Sequence, residues 1–405
     1  MSAPFVIVGA AQAGLQVAES LRSEGYAGEI LLIGEEVHPP YQRPPLSKQL
    51  LCGETTEHRL IIRGQEALAA KSIELVTGKR VTGIDRAGKK VRFSDGSHQA
   101  YGALALTTGA RARALPVPGA ELEGVITLRT IEDCRYIAAA LAQASKVAVI
   151  GGGFIGLEVA AAARKFGKDV TVFEALDRLL ARSAARFLSD FFKTLHETQG
   201  VSIRLATQIT AFVGQNGRVT GVTAGDGRNH PADLVVVGIG IVPNSELAHE
   251  CGLSCDRGIV VDACSRTSDP SIVAAGDCTA LRLPDGSLRR LESVQNAVEQ
   301  GKSGAAALLG AERPFTAAPW FWSDQYDAKL QMAGLSAGYD RLVVRGSTAE
   351  RRFSVLYFKG ETLIAVDAVN RPHDYMAGRK LLDLGRSPDL TQAADERVNL
   401  ASLAR

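Results

Sequence analysis

The chain has 405 residues, of which 46% are hydrophobic and 22% are charged. These values are typical of a globular protein with two or three domains and exclude a disordered or fibrous chain. The formal net charge is only +2, so no overall field attracts nucleic acid or an anionic membrane, and neither is expected as a partner. Six cysteines occur without a C-x-x-C pair or a complete zinc set, so we expect free thiols in a reducing compartment and no metal site.

The N-terminus carries no basic segment that leads into a long apolar run with a small-residue cleavage site. Its short apolar segment, residues 5–8, runs directly into turn residues. We therefore expect a cytoplasmic protein without a signal peptide or a membrane span.

A first candidate nucleotide-binding unit opens the chain. It consists of an apolar strand, a glycine-type loop, a helical pattern and a second strand, at residues 5–8, 9–14, 15–21 and 30–33. The second strand ends close to Glu35. Ala11 stands where the second glycine of a G-x-G-x-x-G loop is usual, and its methyl group either displaces a bound pyrophosphate or is absorbed by a small shift.

The segment 39–48 contains four prolines, which fix an extended backbone. Ser47 is predicted to cap a helix that begins near Lys48. A rigid surface loop would explain the prolines but not the two cations, Arg43 and Lys48. Because they follow a nucleotide-binding strand, these cations can hold a flavin phosphate or lie beside the reactive ring.

Further strands and a linker separate this first unit from the centre of the chain. The pattern predicts a strand and turn, a buried strand, a basic proline-containing linker and a helix, at residues 91–97, 104–110, 111–119 and 131–144.

The centre of the chain carries the complete motif. An apolar run at residues 147–150 precedes the loop, and a second strand at residues 170–173 ends on Glu174. The glycines of the motif are Gly151, Gly153 and Gly156. In such a loop the first glycine permits a tight turn, the second lets the backbone approach a pyrophosphate, and the third lets the helix pack on the strand. The helix N-terminus adds unpaired N–H groups for the phosphates. A lone motif can be an ordinary turn, but strand, helix, second strand and acid together predict a dinucleotide site.

Glu174 lies where an acid can accept a hydrogen bond from a ribose 2′-hydroxyl. A 2′-phosphate beside this carboxylate would be repelled, so the sequence favours NADH over NADPH. Arg178 and Arg182 lie nearby in the sequence and could weaken that preference. Two such units in one chain predict two dinucleotides, for which hydride exchange is the natural chemistry.

The second half of the chain continues the α/β pattern. A helix is predicted at residues 188–197 and strands at 201–205, 218–222, 234–240, 259–262 and 272–277. Asp277 ends an apolar strand, and ligands bind at that edge of open α/β sheets. Ser293 is a candidate helix cap. The last 87 residues, from 319, predict an α+β domain whose two tryptophans, Trp320 and Trp322, either fill its core or pack on a cofactor.

Taken together, these residues resemble the NADH-dependent, FAD-containing ferredoxin reductases of the putidaredoxin reductase and aromatic-ring dioxygenase type. The matching segments, written as they stand here, are YQRPPLSK (41–48), TTGA (107–110), LRT (128–130), GGGFIGLE (151–158), GIG (238–240), AAGD (274–277), ESVQNA (292–297) and PWFWSDQ (319–325). The resemblance spans essentially the whole chain. Ala11 and Thr107 depart from the family pattern, which has a glycine and an alanine at these positions, and both lie at the expected FAD site.

The resemblance implies an α/β fold of the glutathione reductase type. It comprises two Rossmann-like dinucleotide-binding domains and a C-terminal α+β domain. The implied boundaries are an FAD domain in two segments, 1–110 and 241–318, an NAD domain at 111–240, and the C-terminal domain at 319–405.

The resemblance also implies site residues. FAD would contact Gly9, Ala13, Gly14, Glu35, Arg43, Lys48, Val81, Thr108, Gly109, Arg129, Asp277, Val294 and Trp322. NADH would lie on Gly151, Gly153, Phe154, Ile155, Gly156, Glu158, Glu174 and Gly240. As catalytic residues, Lys48 and Glu158 would pair near flavin N5, where hydride arrives from nicotinamide C4; alternatively, Glu158 is a solvent-facing helix residue.

The implied partner is a [2Fe–2S] ferredoxin that serves a haem-thiolate monooxygenase or a Rieske-type oxygenase, and the implied assembly is a monomer or weak homodimer. Basic clusters at Lys89, Lys90 and Arg92 and at Arg289 and Arg290 can meet an acidic ferredoxin, although such turns are often merely solvated.

Two alternatives share the double-nucleotide plan. A disulfide reductase needs a cysteine pair beside the flavin, where this chain has prolines and Cys52 has no near neighbour in the sequence. A flavoprotein of the apoptosis-inducing type, with a binding or signalling role, usually carries targeting segments and insertions.

Overall fold

The structure is a computed structural model and describes residues 3–404. The chain forms two compact units, each assembled from three separate stretches of sequence. The first unit contains Met1–Gln42, His58–Arg111 and Val242–Ala317. The second unit contains Arg43–Glu57, Ala112–Ile241 and Ala318–Arg405.

A five-stranded parallel sheet forms the centre of the first unit. In spatial order its strands are Ile272–Ala274, Ala103–Leu106, Phe5–Val8, Ile30–Ile33 and Ile73–Val76. Helices Gln12–Ser23 and Val294–Leu308 pack against each other and against this sheet. The central strands are continuously apolar because helices and loops cover a parallel sheet on both faces. The strands predicted at the start of the chain are confirmed.

Smaller elements complete the first unit. One antiparallel sheet contains Val81–Asp85, Lys90–Phe93 and His98–Ala100, and a mixed sheet contains Ile259–Val261, Thr279–Arg282 and Leu288–Arg289. The short helices are Gln65–Ala69 and Glu246–Glu250, and a further one, Glu57–Leu60, begins at the boundary between the units. Ala110–Ala112 and Ile241–Pro243, the two short strands in which the chain passes from one unit to the other, form a two-stranded sheet.

The second unit repeats the parallel plan. The order of its strands is Ser202–Arg204, Asp169–Phe173, Lys146–Ile150, Leu234–Val237 and Val125–Thr127. The helices that pack on this sheet are Ile131–Gln143, Phe154–Lys165 and Arg186–Thr198. An antiparallel sheet of Ile209–Gln215, Arg218–Ala224 and Asn229–Pro231 shares a hydrophobic core with it. The predicted Rossmann-type order of strand, helix and strand is confirmed.

The C-terminal part of the second unit is an antiparallel sheet with helices. The sheet order is Trp320–Gln325, Ala328–Gly334, Thr362–Val369, Arg352–Lys359 and Arg341–Ser347. Helices Pro372–Asp383 and Leu390–Ala394 follow, with a final 3₁₀ turn at Leu400–Ala404. Buried Arg345 donates to the carbonyl oxygens of Ala393, Asp395 and Val398, so it ties the C-terminal segment to the sheet.

The strands predicted at 104–110, 234–240 and 272–277 end earlier than expected, at Leu106, Val237 and Ala274. The prediction of a helix near Lys48 was wrong. No helix begins near Lys48; instead a 3₁₀ turn at Pro44–Ser47 ends there. Consecutive prolines restrict the backbone and remove N–H donors, which suits a tight turn better than a longer helix. The hydroxyl of Ser47 does not cap a helix but donates to the carboxylate of Glu158.

Between residues 3 and 404, no helix is both long enough and apolar enough to cross a membrane. Over the same residues, no group of three or more His, Cys, Asp or Glu side chains is arranged to hold a metal ion.

Candidate active site and nucleotide-binding loops

In the glycine loop of the second unit, two glycines are required by the packing of the protein, whereas another leaves space for a ligand. Gly151 has a φ of +106°, and a Cβ on it would lie 2.5 Å from the carbonyl oxygen of Gly238. A Cβ on Gly156 would lie 2.2 Å from the carbonyl oxygen of Gly151. Around Gly153, however, the nearest atom to such a Cβ is 3.9 Å away. The first and third glycines are therefore required by packing, and the open space at Gly153 fits the close approach of a pyrophosphate.

A pocket of about 350 Å³ lies over this loop and is lined by Glu174 and Arg182. The Glu174 carboxylate accepts hydrogen bonds from the backbone N–H groups of Gly152, at 2.7 Å, and Leu176, at 2.9 Å. These bonds fix an acid at the end of the second strand, facing the loop, as a ribose hydroxyl requires.

The two arginines near Glu174 in the sequence, Arg178 and Arg182, differ in the number of hydrogen bonds that they donate. The guanidinium of Arg178 donates to Ser189 Oγ and to the carbonyl oxygens of Ala181 and Ala184. Arg182 donates to the carbonyl oxygen of Ile239, next to Gly240, at 3.2 Å. Arg182 is therefore the better placed of the two to offset the charge of Glu174.

The glycine loop of the first unit is built in the same way. Gly9 has a φ of +115°, and a Cβ on it would lie 2.1 Å from the carbonyl oxygen of Thr107. A Cβ on Gly14 would lie 1.9 Å from the carbonyl oxygen of Gly9. Ala11 caps the helix with a φ of −104°, in the extended region that any residue adopts, as Gly153 does in the other loop. Ala11 therefore strains nothing in the protein, and its methyl group matters only to a bound ligand.

Thr107, the second departure from the family pattern, has a clear structural role. The one hydrogen of its buried hydroxyl is shared between the carbonyl oxygens of Gly9, at 2.8 Å, and Val8, at 3.1 Å. An alanine could not make these bonds. The hydroxyl therefore ties the end of a neighbouring strand to the glycine loop.

The remaining predicted FAD residues of the first unit lie in several elements. Glu35 is largely exposed and pairs with Arg80 at 3.1 Å. Val81 is buried in its strand. Thr108 Oγ1 donates to the carbonyl oxygen of Asn244, whose N–H donates to the carbonyl oxygen of Gly109.

A buried amide connects Asp277 with the helix that begins at Val294. Gln300 Oε1 accepts hydrogen bonds from Gly276 N at 2.8 Å, Thr279 Oγ1 at 2.9 Å and Asn296 Nδ2 at 3.1 Å. The helix is capped by Ser293, as predicted. Our reading of the sequence missed Asn296 and Gln300, although two amides spaced four residues apart in a helix rich in alanine and glycine are a recognisable signal.

The predicted catalytic residues of the second unit lie together. Lys48 Nζ is 2.9 Å from Glu158 Oε1, and their side chains are 9% and 3% exposed. Ser47 Oγ donates to Glu158 Oε2 at 2.5 Å, and Ser323 Oγ donates to Glu158 Oε1 at 2.6 Å. The alternative that Glu158 faces solvent is therefore wrong. A buried ion pair is costly unless further hydrogen bonds satisfy it, and here two hydroxyl groups do so.

Several other predicted residues of the second unit lie close to this pair, or to Ser323, in the sequence. Arg43 donates to the carbonyl oxygen of Arg129 at 2.7 Å. Phe154 stacks at a tilt on Phe321, with ring centroids 4.8 Å apart, and Ile155 is 40% exposed. Both tryptophans are half-buried: Trp320 packs against the C-terminal core, and the ring centroid of Trp322 lies 5.7 Å from that of Trp320. Packing of Trp322 on a cofactor stays a prediction.

The cysteines do not form a disulfide-exchange site. All six are free. Burial raises the pKa of the Cys134 and Cys278 thiols to about 11, and it also raises the pKa of Cys52. Because a reactive cysteine needs a lowered pKa, these thiols argue against a disulfide reductase.

Comparison with known proteins agrees with this geometry. Residues 3–301 match the pyridine nucleotide-disulphide oxidoreductase family, and residues 320–404 match the reductase C-terminal family. Rhodocoxin reductase of Rhodococcus erythropolis is 48% identical over 397 residues, which cover 98% of this chain and 93% of that protein. The chain belongs to the ferredoxin reductases of this oxidoreductase family.

Two solved ferredoxin reductase structures share the whole fold. The crystal structure of the ferredoxin reductase for the CYP199A2 system of Rhodopseudomonas palustris has a TM-score of 0.96 at 44% identity, covering 99% of this chain and 100% of that one. The covalent putidaredoxin reductase–putidaredoxin complex has a TM-score of 0.95 at 42% identity, covering 99% and 98%. The predicted family and fold class are confirmed, and FAD and NAD(H) are the cofactors that this ferredoxin reductase family implies.

Proposed function

We propose that this protein is an NADH-dependent, FAD-containing ferredoxin reductase. It passes single electrons to a [2Fe–2S] ferredoxin that serves a haem-thiolate monooxygenase or a Rieske-type oxygenase. The observation that carries the proposal is the buried Lys48–Glu158 pair in a chain with two glycine loops of nucleotide-binding geometry. Relatives named for such partners support it, among them putidaredoxin reductase and an anthranilate 1,2-dioxygenase reductase component.

The two glycine loops divide the chain into a part that binds FAD and a part that binds NADH. We assign FAD to segments 1–110 and 241–318, NADH to 111–240, and a capping role to 319–405. Bound FAD would take up a hydride as an electron pair from NADH and release the electrons singly. The protein contributes geometry and electrostatics, because no side chain has to transfer a proton in the hydride step.

Each named residue then has a limited task. The Lys48 ammonium group supplies positive charge that Glu158 holds in position. The N-terminus of the helix at Val294 supplies a positive dipole end, which stabilises negative charge on a reduced ring. Glu174 selects NADH by repelling a 2′-phosphate.

The proposed partner is an acidic ferredoxin. Lys89, Lys90 and Arg92 are exposed and available for such a protein. Arg290, by contrast, already forms an ion pair with Glu292 at 2.8 Å. The first cluster is therefore the stronger candidate, and a loss of ferredoxin reduction with rising ionic strength is the expected sign of electrostatic docking.

A cytoplasmic location is part of the proposal. It rests on the six free thiols, which a reducing compartment maintains.

The test begins with purified protein reconstituted with FAD. The expected result is a yellow protein that releases FAD on denaturation and reduces a [2Fe–2S] ferredoxin with NADH much faster than with NADPH. A well-folded protein that fails to take up FAD would overturn the proposal. Uptake of FAD without ferredoxin reduction, together with a long-lived complex of reduced flavin and NAD, would favour a binding or signalling flavoprotein.

A further inference from the structure

A continuous row of polar side chains within the second unit begins at Glu158. Ser323 Oγ donates to Glu158 Oε1 at 2.6 Å, and Gln325 Nε2 donates to Ser323 Oγ at 3.1 Å. Gln325 Oε1 lies 2.8 Å from His196 Nε2, and Tyr326 Oη lies 3.2 Å from His196 Nδ1. Ser323, Gln325 and His196 are each no more than 1% exposed. A buried polar group without a hydrogen bond is costly, so these hydrogen bonds hold each side chain of the row in one orientation.

The hydrogen-bond direction is the same at every step. The amide oxygen of Gln325 carries no hydrogen, so His196 must donate to it from Nε2. The Gln325 amide nitrogen is thereby turned towards Ser323. Because the Ser323 oxygen accepts that bond, its own hydrogen is free for the Glu158 carboxylate. Burial lowers the pKa of His196 to about 4, so the ring is neutral near pH 7 and Nδ1 accepts from the Tyr326 hydroxyl.

The row joins two elements that are far apart in the sequence. His196 belongs to the helix Arg186–Thr198, whereas Ser323 and Gln325 occupy alternate positions of the strand Trp320–Gln325 and share one face of it. Neither serine nor glutamine carries charge, so the row neutralises nothing itself. Its effect on Glu158 is orientation.

We propose that Ser323, Gln325 and His196 are positioning residues that hold the Glu158 carboxylate and, through it, the Lys48 ammonium group in the geometry needed for hydride transfer. The proposal rests on the proposed function, since it concerns the same ion pair. A carboxylate held on Oε1 by Ser323 and on Oε2 by Ser47 cannot rotate, and Lys48 is thereby kept on one side of it.

The test compares Ser323→Ala with Ser354→Ala. Ser354 is equally buried in the same C-terminal sheet, and its hydroxyl donates to Asp374 Oδ2, outside the row. Two measurements are made on the FAD-reconstituted protein: the acetylation rate of the Lys48 amine, read by mass spectrometry, and flavin reduction by NADH in stopped-flow.

For Ser323→Ala we expect faster acetylation of Lys48 and flavin reduction slowed by about tenfold, because the lost bond is to a charged group. The dissociation constant for NADH should stay unchanged, since Ser323 does not line the nucleotide pocket. Ser323→Thr, which keeps the hydroxyl, should restore both rates, and Ser354→Ala should resemble the native protein.

Native acetylation and native flavin reduction in a folded Ser323→Ala variant would overturn the proposal. If Ser323→Ala does not fold, Gln325→Leu answers the same question one step further along the row, with the ¹⁵N shifts of His196 as a direct report on its tautomer. Lys48 acetylation needs neither NADH nor ferredoxin. A native protein without reductase activity would therefore refute the proposed function while leaving the positioning role measurable.

Discussion

Lys48 Nζ and Glu158 Oε1 lie 2.9 Å apart where water hardly reaches either side chain. The residues are 110 positions apart in the sequence, and one comes from a proline-rich turn while the other lies in the helix after a glycine loop. Removing one partner from such a pair leaves the other charge buried and unpaired, which is far more costly than losing a surface ion pair. This relationship supports the first prediction.

Glu158→Gln should destabilise the protein by on the order of 3 kcal/mol, because the Lys48 ammonium group loses its counter-charge. It should also slow flavin reduction by NADH in stopped-flow. Glu197→Gln is the control, since its ion pair with Lys193 is exposed and contributes no more than about 1 kcal/mol. An unchanged reduction rate and NADH affinity in Glu158→Gln would remove Glu158 from the mechanism.

Glu174→Gln should raise kcat/KM for NADPH by about tenfold, because the repulsion of a 2′-phosphate disappears while an amide oxygen can still accept from Gly152 N. The measurement is steady-state kinetics with both nucleotides. Asp177→Asn removes a charge from an exposed side chain close by in the sequence and should leave the NADH preference intact. Equal kcat/KM values for the two nucleotides in the native protein would contradict the assignment of Glu174.

Two alanine substitutions in one glycine loop should affect different properties, one the binding of NADH and the other the stability of the protein. Gly153→Ala has room for its methyl group, so the free energy of unfolding should hardly change while KM for NADH rises. Gly156→Ala would place a Cβ 2.2 Å from the Gly151 carbonyl oxygen and should cost about 1–3 kcal/mol of stability or more. Thermal unfolding and NADH titration of both variants measure the contrast, and a native KM in Gly153→Ala would show that no ligand comes close there.

Asp367 should make stability depend on pH. Burial raises the pKa of this fully buried carboxyl from its ordinary 3.8 to about 7. Between these values the unfolded chain releases the proton while the native state keeps it, so the free energy of unfolding falls as pH rises from about 4 to about 7. Each pKa unit corresponds to about 1.4 kcal/mol.

Asp367→Asn keeps a neutral side chain of similar shape and should remove that slope. Urea unfolding followed from about pH 3 to about pH 8 measures it, because this range brackets both pKa values, 3.8 and about 7. The exposed Asp285, replaced by asparagine, serves as the control. A slope as steep in Asp367→Asn as in the native protein would assign the effect to another group.

The nucleotide-binding loops could be predicted from the sequence because each is local. A strand, three glycines or their substitutes, a helix and an acid follow one another within about 30 residues, and each position has its own backbone or packing requirement. The apolar strands of the parallel sheets and the α+β character of the C-terminal segment followed from the same short-range patterns, whereas the family came from a resemblance. The resemblance suggested the Lys48–Glu158 pairing, and the structure provides its distance and burial.

The proline-rich turn shows where local patterns fail. Ser47 followed by Lys48 suggested a helix cap, but the Ser47 hydroxyl bonds to Glu158, which is 111 residues away. No local rule anticipates that partner, because tertiary packing can override a capping preference.

The sequence by itself predicted two strand–loop–helix units of the nucleotide-binding type, since glycine conformation and continuous apolar runs act over a few positions. Only the tertiary structure decided what surrounds the Lys48–Glu158 pair. No sequence pattern links the residues of the turn, the helix and the strand that meet there, which are Ser47, His196, Ser323 and Gln325. They meet because packing buries their donors and acceptors, and buried polar groups must form hydrogen bonds with one another.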